Sequence, residues 1–248
     1  MKGILALLLL TSCSFLGVKK DSLKADKAFY VQVEENGNFF STRESGFSPN
    51  AKFIVKKSVR VDPASELYLE KVITISSKKN LNPKVTILNP EQSEAIYYLN
   101  GKKYTSRMNL ITKKNQLIVR MESPEKQWNG EKTYDIPKGN GNICYYSSIV
   151  ECAVVTGFLD QAIKKGGGKM NFTLVWEAFP YFQEQFLNIP SEPIAIASLI
   201  YDGRNRLGQH RLTLDAGGQN QFYFVDKEYR LVKHVWASQG FTRERKDK

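Results

Sequence analysis

Between positions 29 and 121 apolar and polar side chains alternate in short runs, at 29–33, 52–61, 67–77, 84–88, 95–99, 103–110 and 116–121, many rich in β-branched residues. A period of two sends successive side chains to opposite faces, so each run predicts a β-strand with one face turned to a core. Turn residues punctuate the runs: Asn36-Gly37, Asn82-Pro83, Asn89-Pro90 and, between Leu99 and Tyr104, Asn100-Gly101. The last is a two-residue hairpin signal, and such short links make neighbouring strands antiparallel. Residues 123–142, with Pro124, Gly130, Pro137, Gly139 and Gly141, form the longest irregular stretch, either a domain linker or a crossing loop.

The period then changes. Ser148-Ile149-Val150-Glu151 reads as a capping box that starts a helix over 149–165, and Gly166-Gly167-Gly168 stops it. Its apolar residues, among them Val150, Val154, Phe158, Leu159 and Ile163, run around most of the circumference, which predicts a buried helix in the concavity of a sheet. Strands resume at 169–178, 193–201, 209–215, 221–225 and 231–238, and between the first two Pro180 opens a short helix carrying Phe179, Phe182 and Phe186 at helical spacing. The mixed-sign run 243–248 reads as a frayed, solvated end. The order predicts an α+β, mainly β fold: an antiparallel, curled, half-barrel-like sheet packed on one main helix, a single domain over 28–248 with its point of subdivision, if any, near 123–142.

Upstream, Lys2 precedes the apolar run 4–10, which ends in Leu10-Thr11-Ser12-Cys13, and Lys19 and Lys20 follow. The run is far shorter than the roughly 20 residues that span a bilayer and has the order of a secretory signal. Leu10-Thr11-Ser12-Cys13 resembles the lipobox of bacterial lipoproteins. That resemblance implies that residues 1–12 are a cleaved signal peptide, that Cys13 is lipidated and N-terminal in the mature chain, and that 13–27 is a lipidated tether. Ser14, where inner-membrane lipoproteins often carry Asp, implies a bacterial cell-envelope protein anchored at the outer membrane and facing the periplasm. The strand succession, the hairpin Tyr98 to Tyr104 and the late helix also resemble periplasmic half-barrel proteins of the lipoprotein-carrier type, and no functional residue is carried over from them.

Loss of residues 1–12 with their one lysine takes the formal net charge from +11 to +10. A basic exported chain meets anionic membrane or acidic envelope polymer, not nucleic acid. With Cys13 acylated, Cys144 and Cys152 are an even pair in a disulfide-permitting compartment, either bridged or packed as two buried thiols.

Catalytic signatures are sparse. His210 and His234, the only two histidines, sit in strand patterns, His210 as a solvent-facing residue and His234 on either face. With no H-E-x-x-H or paired C-x-x-C, no metal or other cofactor is expected. Gly46-Phe47-Ser48-Pro49-Asn50 lacks the last glycine of a nucleophile elbow, and Gly166-Gly167-Gly168-Lys169 follows its helix, where a phosphate loop precedes one. The carboxylates Glu177, Glu184, Asp202, Asp215 and Asp226 are scattered. Phe179, Phe182 and Phe186 serve either the core or a lid over a ligand cavity. Two functions follow: a lipid-anchored, non-enzymatic envelope protein with a scaffold or apolar-ligand-binding role, or an envelope hydrolase acting on peptidoglycan or another acidic polymer. A closed core favours the scaffold, and convergent carboxylates or a histidine in a cleft favour the enzyme.

Overall fold

The computed structural model describes residues 23–34, 37–82, 85–137 and 142–246. Cys13, the signal segment and residues 13–22 of the tether lie outside these. Of the segment expected to be a tether, 13–27, only 23–27 is described, and there Asp26 already begins a strand and pairs through both carboxylate oxygens with Arg245 (3.0 and 3.1 Å).

Eight strands run in sequence: β1 (Asp26–Glu34), β2 (Gly37–Phe47), β3 (Lys52–Arg60), β4 (Tyr68–Asn82), β5 (Val85–Leu99), β6 (Lys102–Ile111), β7 (Gln116–Glu122) and β8 (Gly130–Asp135). After them come β9 (Asn142–Tyr145), the helices α1 (Ile149–Val155) and α2 (Phe158–Lys165), β10 (Gly168–Val175), α3 (Pro180–Leu187) and the strands β11 (Ile194–Arg204), β12 (His210–Ala216), β13 (Gln219–Val225), β14 (Leu231–Trp236) and β15 (Phe241–Lys246). All fifteen strands belong to one curled, unclosed sheet, ordered β8 down to β1, then β15 down to β9. Two meanders are thus joined edge to edge where β1 pairs antiparallel with β15. Pairing is antiparallel throughout except β9 with β10, the strands linked across α1 and α2, and a parallel pair needs such a crossover. The first meander ends at Asp135 and the second begins at Asn142, both within the stretch 123–142, but one sheet runs through both halves.

Local chemistry explains most of the connections. Asn100 and Gly101 both have positive φ (51° and 74°), the backbone of a tight hairpin turn between β5 and β6. Asn89-Pro90, expected to be a turn, lies inside β5, beside a shift in the register with β4, the kind of irregularity at which proline is tolerated in a strand. The helix expected over 149–165 is two helices. Thr156 Oγ1 bonds back to the Cys152 carbonyl (2.8 Å), and Gly157 takes a left-handed conformation (φ 73°) that ends α1. Consequently α1 is buried nearly all round, whereas α2 buries Leu159 and Ala162 and leaves Phe158 and Ile163 partly exposed.

The expected capping box does not form. Ser148 makes no side-chain cap, and Glu151 turns away to an arginine on β2. Of the run 243–248 expected to fray, residues 243–246 belong to β15, the seam strand of the sheet. His210, expected at the surface, is buried and accepts or donates at Nδ1 to the Tyr201 hydroxyl (3.0 Å), because β12 turns His210, Leu212 and Leu214 inward and Arg211 and Thr213 outward. Two apolar clusters result, one between α1, α2 and the second meander, the other where α3 and Phe179 meet β6 and β7. Among the described residues no helix is long and apolar enough to cross a membrane.

Candidate functional site

The sheet's concavity is not filled. Between the seam strands, the start of α1 and α3 lies a cavity of about 510 Å³, continuous through shared walls with an apolar slot of about 350 Å³. Both volumes fall in the range of small-molecule sites. Gln183, Phe186 and Leu187 of α3 line both, as do Gln32 and Glu70 on the sheet.

The floor is unusually polar. On β2 the inward positions are Ser41, Arg43 and Ser45, and Arg43 bonds to Glu151 Oε1 (2.7 Å), to the Ser147 carbonyl (2.9 Å) and to Ser45 Oγ (3.1 Å). Its side chain is 7% exposed and that of Glu151 10%. Burial works against the Arg43 charge, but Glu151, through its charge and hydrogen bond, together with Tyr30 and Asp26, leaves the guanidinium pKa above its ordinary value. Lys57 and Glu70, on β3 and β4, pair at 2.8 Å. Just beyond β10, Glu177 accepts the backbone N–H groups of Tyr146 (2.9 Å) and Ser147 (2.5 Å), holding the chain that leads into α1. Desolvation raises the Glu177 pKa despite those two bonds.

One wall is aromatic. Tyr146 lies against Trp176 (ring centroids 4.4 Å), Trp176 stacks on Trp236 (5.9 Å), and Tyr223 stacks on His234 (4.4 Å). The side-chain oxygen of Gln221 accepts from the Tyr146 hydroxyl (2.6 Å) and pairs with His234 Nε2 (2.9 Å). His234 therefore carries its proton on Nε2 in this arrangement and presents Nδ1 as a bare acceptor, which has no partner among the described residues. Burial, and then the charges of Arg243 and Lys57, push the His234 pKa well below the usual histidine value, so the ring is neutral.

The sequence-derived candidates divide. Phe182 and Phe186 line the slot, Phe186 at its mouth with 54% exposure; Phe179 is fully buried in the second core and lines neither space. Cys144 and Cys152, left open as bridged or free, form a disulfide with Cα atoms 6.4 Å apart and so tie β9 to α1 beside the cleft. His210 is remote from the cleft, and His234 lines it. Arg43, Glu151, Glu177, Gln183 and Arg243 were not foreseen as a group. For Arg43 and Arg243 the signal was a polar residue at an inward strand position, visible only once register is known.

Chemically the cleft brings together four carboxylates, a neutral histidine and three cations. Two carboxylates are committed to cations, Glu177 to backbone donors, and Glu34 accepts from the Gln32 amide; among the described residues no hydroxyl is hydrogen-bonded to His234 as a nucleophile would be to its base. Among the described residues no group of three or more His, Cys, Asp or Glu could hold a metal ion. No protein-family model, curated protein or solved structure matches the chain.

Proposed function

We propose that this protein is a lipid-anchored bacterial cell-envelope protein, non-enzymatic, whose cleft binds an apolar ligand such as an acyl chain. The observation that carries the reading is the cavity on the concave face of the sheet, opening into an apolar slot bounded by Phe182, Phe186, Tyr98 and Leu99. A scaffold would bury this surface; here α3 roofs it incompletely. The anchor rests on the lipobox at Cys13: two or more acyl chains, at about 0.8 kcal/mol per buried CH₂, hold a protein to a bilayer stably. Cys13→Ser is expected to move the protein out of the membrane fraction after a high-salt wash, and persistence there would refute the anchor. For the cleft, Phe186→Asp, which places a charge at the slot's mouth, is expected to weaken binding of a fluorescent fatty acyl probe at least tenfold.

A second reading, an envelope hydrolase acting on peptidoglycan or another acidic polymer, is favoured by Glu177 and His234 sharing one cleft, the former with a raised pKa suited to an acid. Release of soluble fragments from peptidoglycan by the protein, abolished in Glu177→Gln, would establish it.

A further inference from the structure

Three guanidinium groups, those of Arg43, Arg243 and Arg245, act electrostatically on buried Tyr30, and two of them are neutralised. Arg43 has Glu151 and Arg245 has Asp26, as Lys57 nearby has Glu70. Arg243 has no such partner. It projects inward from the seam strand β15, is 9% exposed, and lines the cavity, with the Tyr30 ring 5.4 Å away. Its Nε makes no hydrogen bond, and among the described residues no carboxylate lies within ion-pair distance. Burying an unpaired cation is costly, and a planar guanidinium presents a fork of donors matched to an oxyanion.

Other cleft groups are also open. Gln183, 1% exposed, has neither its amide nitrogen nor its oxygen bonded, and it borders both cavity and slot. A ligand crossing from one to the other passes it, and its amide can donate to a head group held by Arg243. The competing carboxylates already have donors, Glu151 from Arg43 at Oε1, Glu70 from Lys57, Glu177 from backbone N–H groups and Glu34 from the Gln32 amide, while Glu151 Oε2 is unbonded.

We propose that Arg243 binds the anionic head of a single-chain amphiphile whose tail occupies the slot between Phe182, Phe186 and Leu99. The inference rests on the cleft being a ligand site, and it adds the head-group chemistry: an oxyanion, carboxylate or phosphate monoester. Titration calorimetry on the full chain carrying Cys13→Ser, which has no acyl group of its own to compete, tests it with three probes of equal chain length: palmitate, hexadecyl phosphate and hexadecanol. The two anions are expected to bind roughly 10- to 100-fold more tightly than the alcohol. The ratio between them identifies the head. Arg243→Gln is expected to erase the preference while hexadecanol still binds, which also shows that the variant is folded. If the glutamine variant does not fold, Arg243→Met, which replaces the charge with an apolar chain, is measured in the same way. Equal affinity for all three probes, or a preference that survives in the variant, overturns the anion site and leaves the apolar cleft standing. Absence of binding by all three overturns both.

Discussion

Glu151→Ala isolates the cost of an unpaired charge beside α1. In the native chain Arg43 spends its donors on Glu151, the Ser147 carbonyl and Ser45, with both ion-pair members at most 10% exposed. Removing the carboxylate leaves a guanidinium in a site that water reaches poorly, and breaking a buried pair in this way costs about 3–5 kcal/mol. For a chain of this size each kcal/mol is worth about 2–4 °C, so the melting point should fall by about 6–20 °C. The double variant Arg43→Met, Glu151→Leu removes both charges and should regain most of that loss, since an apolar pair of similar volume is often neutral or stabilising. Urea titrations of the parent, two single variants and the double variant give the coupling energy directly. If Glu151→Ala unfolds within about 1 kcal/mol of the parent, the pair is solvated and the floor is not the low-dielectric surface described above.

Three further outcomes follow from the same structure. Cys144→Ser with Cys152→Ser opens a loop closed over eight residues and should cost about 2.5 kcal/mol on the chain-entropy model, and mass spectrometry of the unreduced chain should find no alkylatable thiol at either position. Phe179→Ala should cost about 3–5 kcal/mol and Phe158→Ala clearly less, because Phe179 is fully buried and Phe158 only partly so; equal midpoint shifts in urea would contradict the split of α1 from α2. His234, whose folded pKa is depressed, binds its proton more readily when unfolded, so its contribution is present above pH about 6.5 and is lost on acidification, with a slope of up to about 1.4 kcal/mol per pH unit. His234→Phe should flatten that acid limb, leaving the smaller contribution of the same sign from buried His210, and an unchanged slope would mean that His234 is solvated.

The strands that the sequence concealed are the ones that carry the site. β6, β7 and β12 announce themselves by apolar alternation because their inward faces are largely apolar. On β2 the inward residues are Ser41, Arg43 and Ser45, and on β15 the inward residue is Arg243, so the alternation carries no hydrophobic signal; β2 went unrecognised and β15 passed for a frayed tail. The same reason hid Glu151, whose spacing from Ser148 fits a capping box equally well and whose true partner lies 108 residues away. Polar side chains at positions that folding alone would make apolar mark places where something other than stability governs the residue.

Seam and site are physically one feature. β1 and β15 are remote in sequence, so their pairing closes only after both meanders exist, and the Asp26–Arg245 ion pair fastens it on the inner face, at the end where β1 begins. On the inner side the same strands present Gln32 and Arg243, cross-strand partners in that register, to the cavity. A ligand held by Arg243 therefore stabilises the seam as well as filling the cleft, by mass action on the folded state. At a free concentration one hundred times its Kd it would add about 2.7 kcal/mol, a gain lost in Arg243→Gln. Placing an unpaired cation at the centre of the sheet thus weakens the empty protein at the point where its two halves join, and occupancy of the cleft restores what the charge takes away.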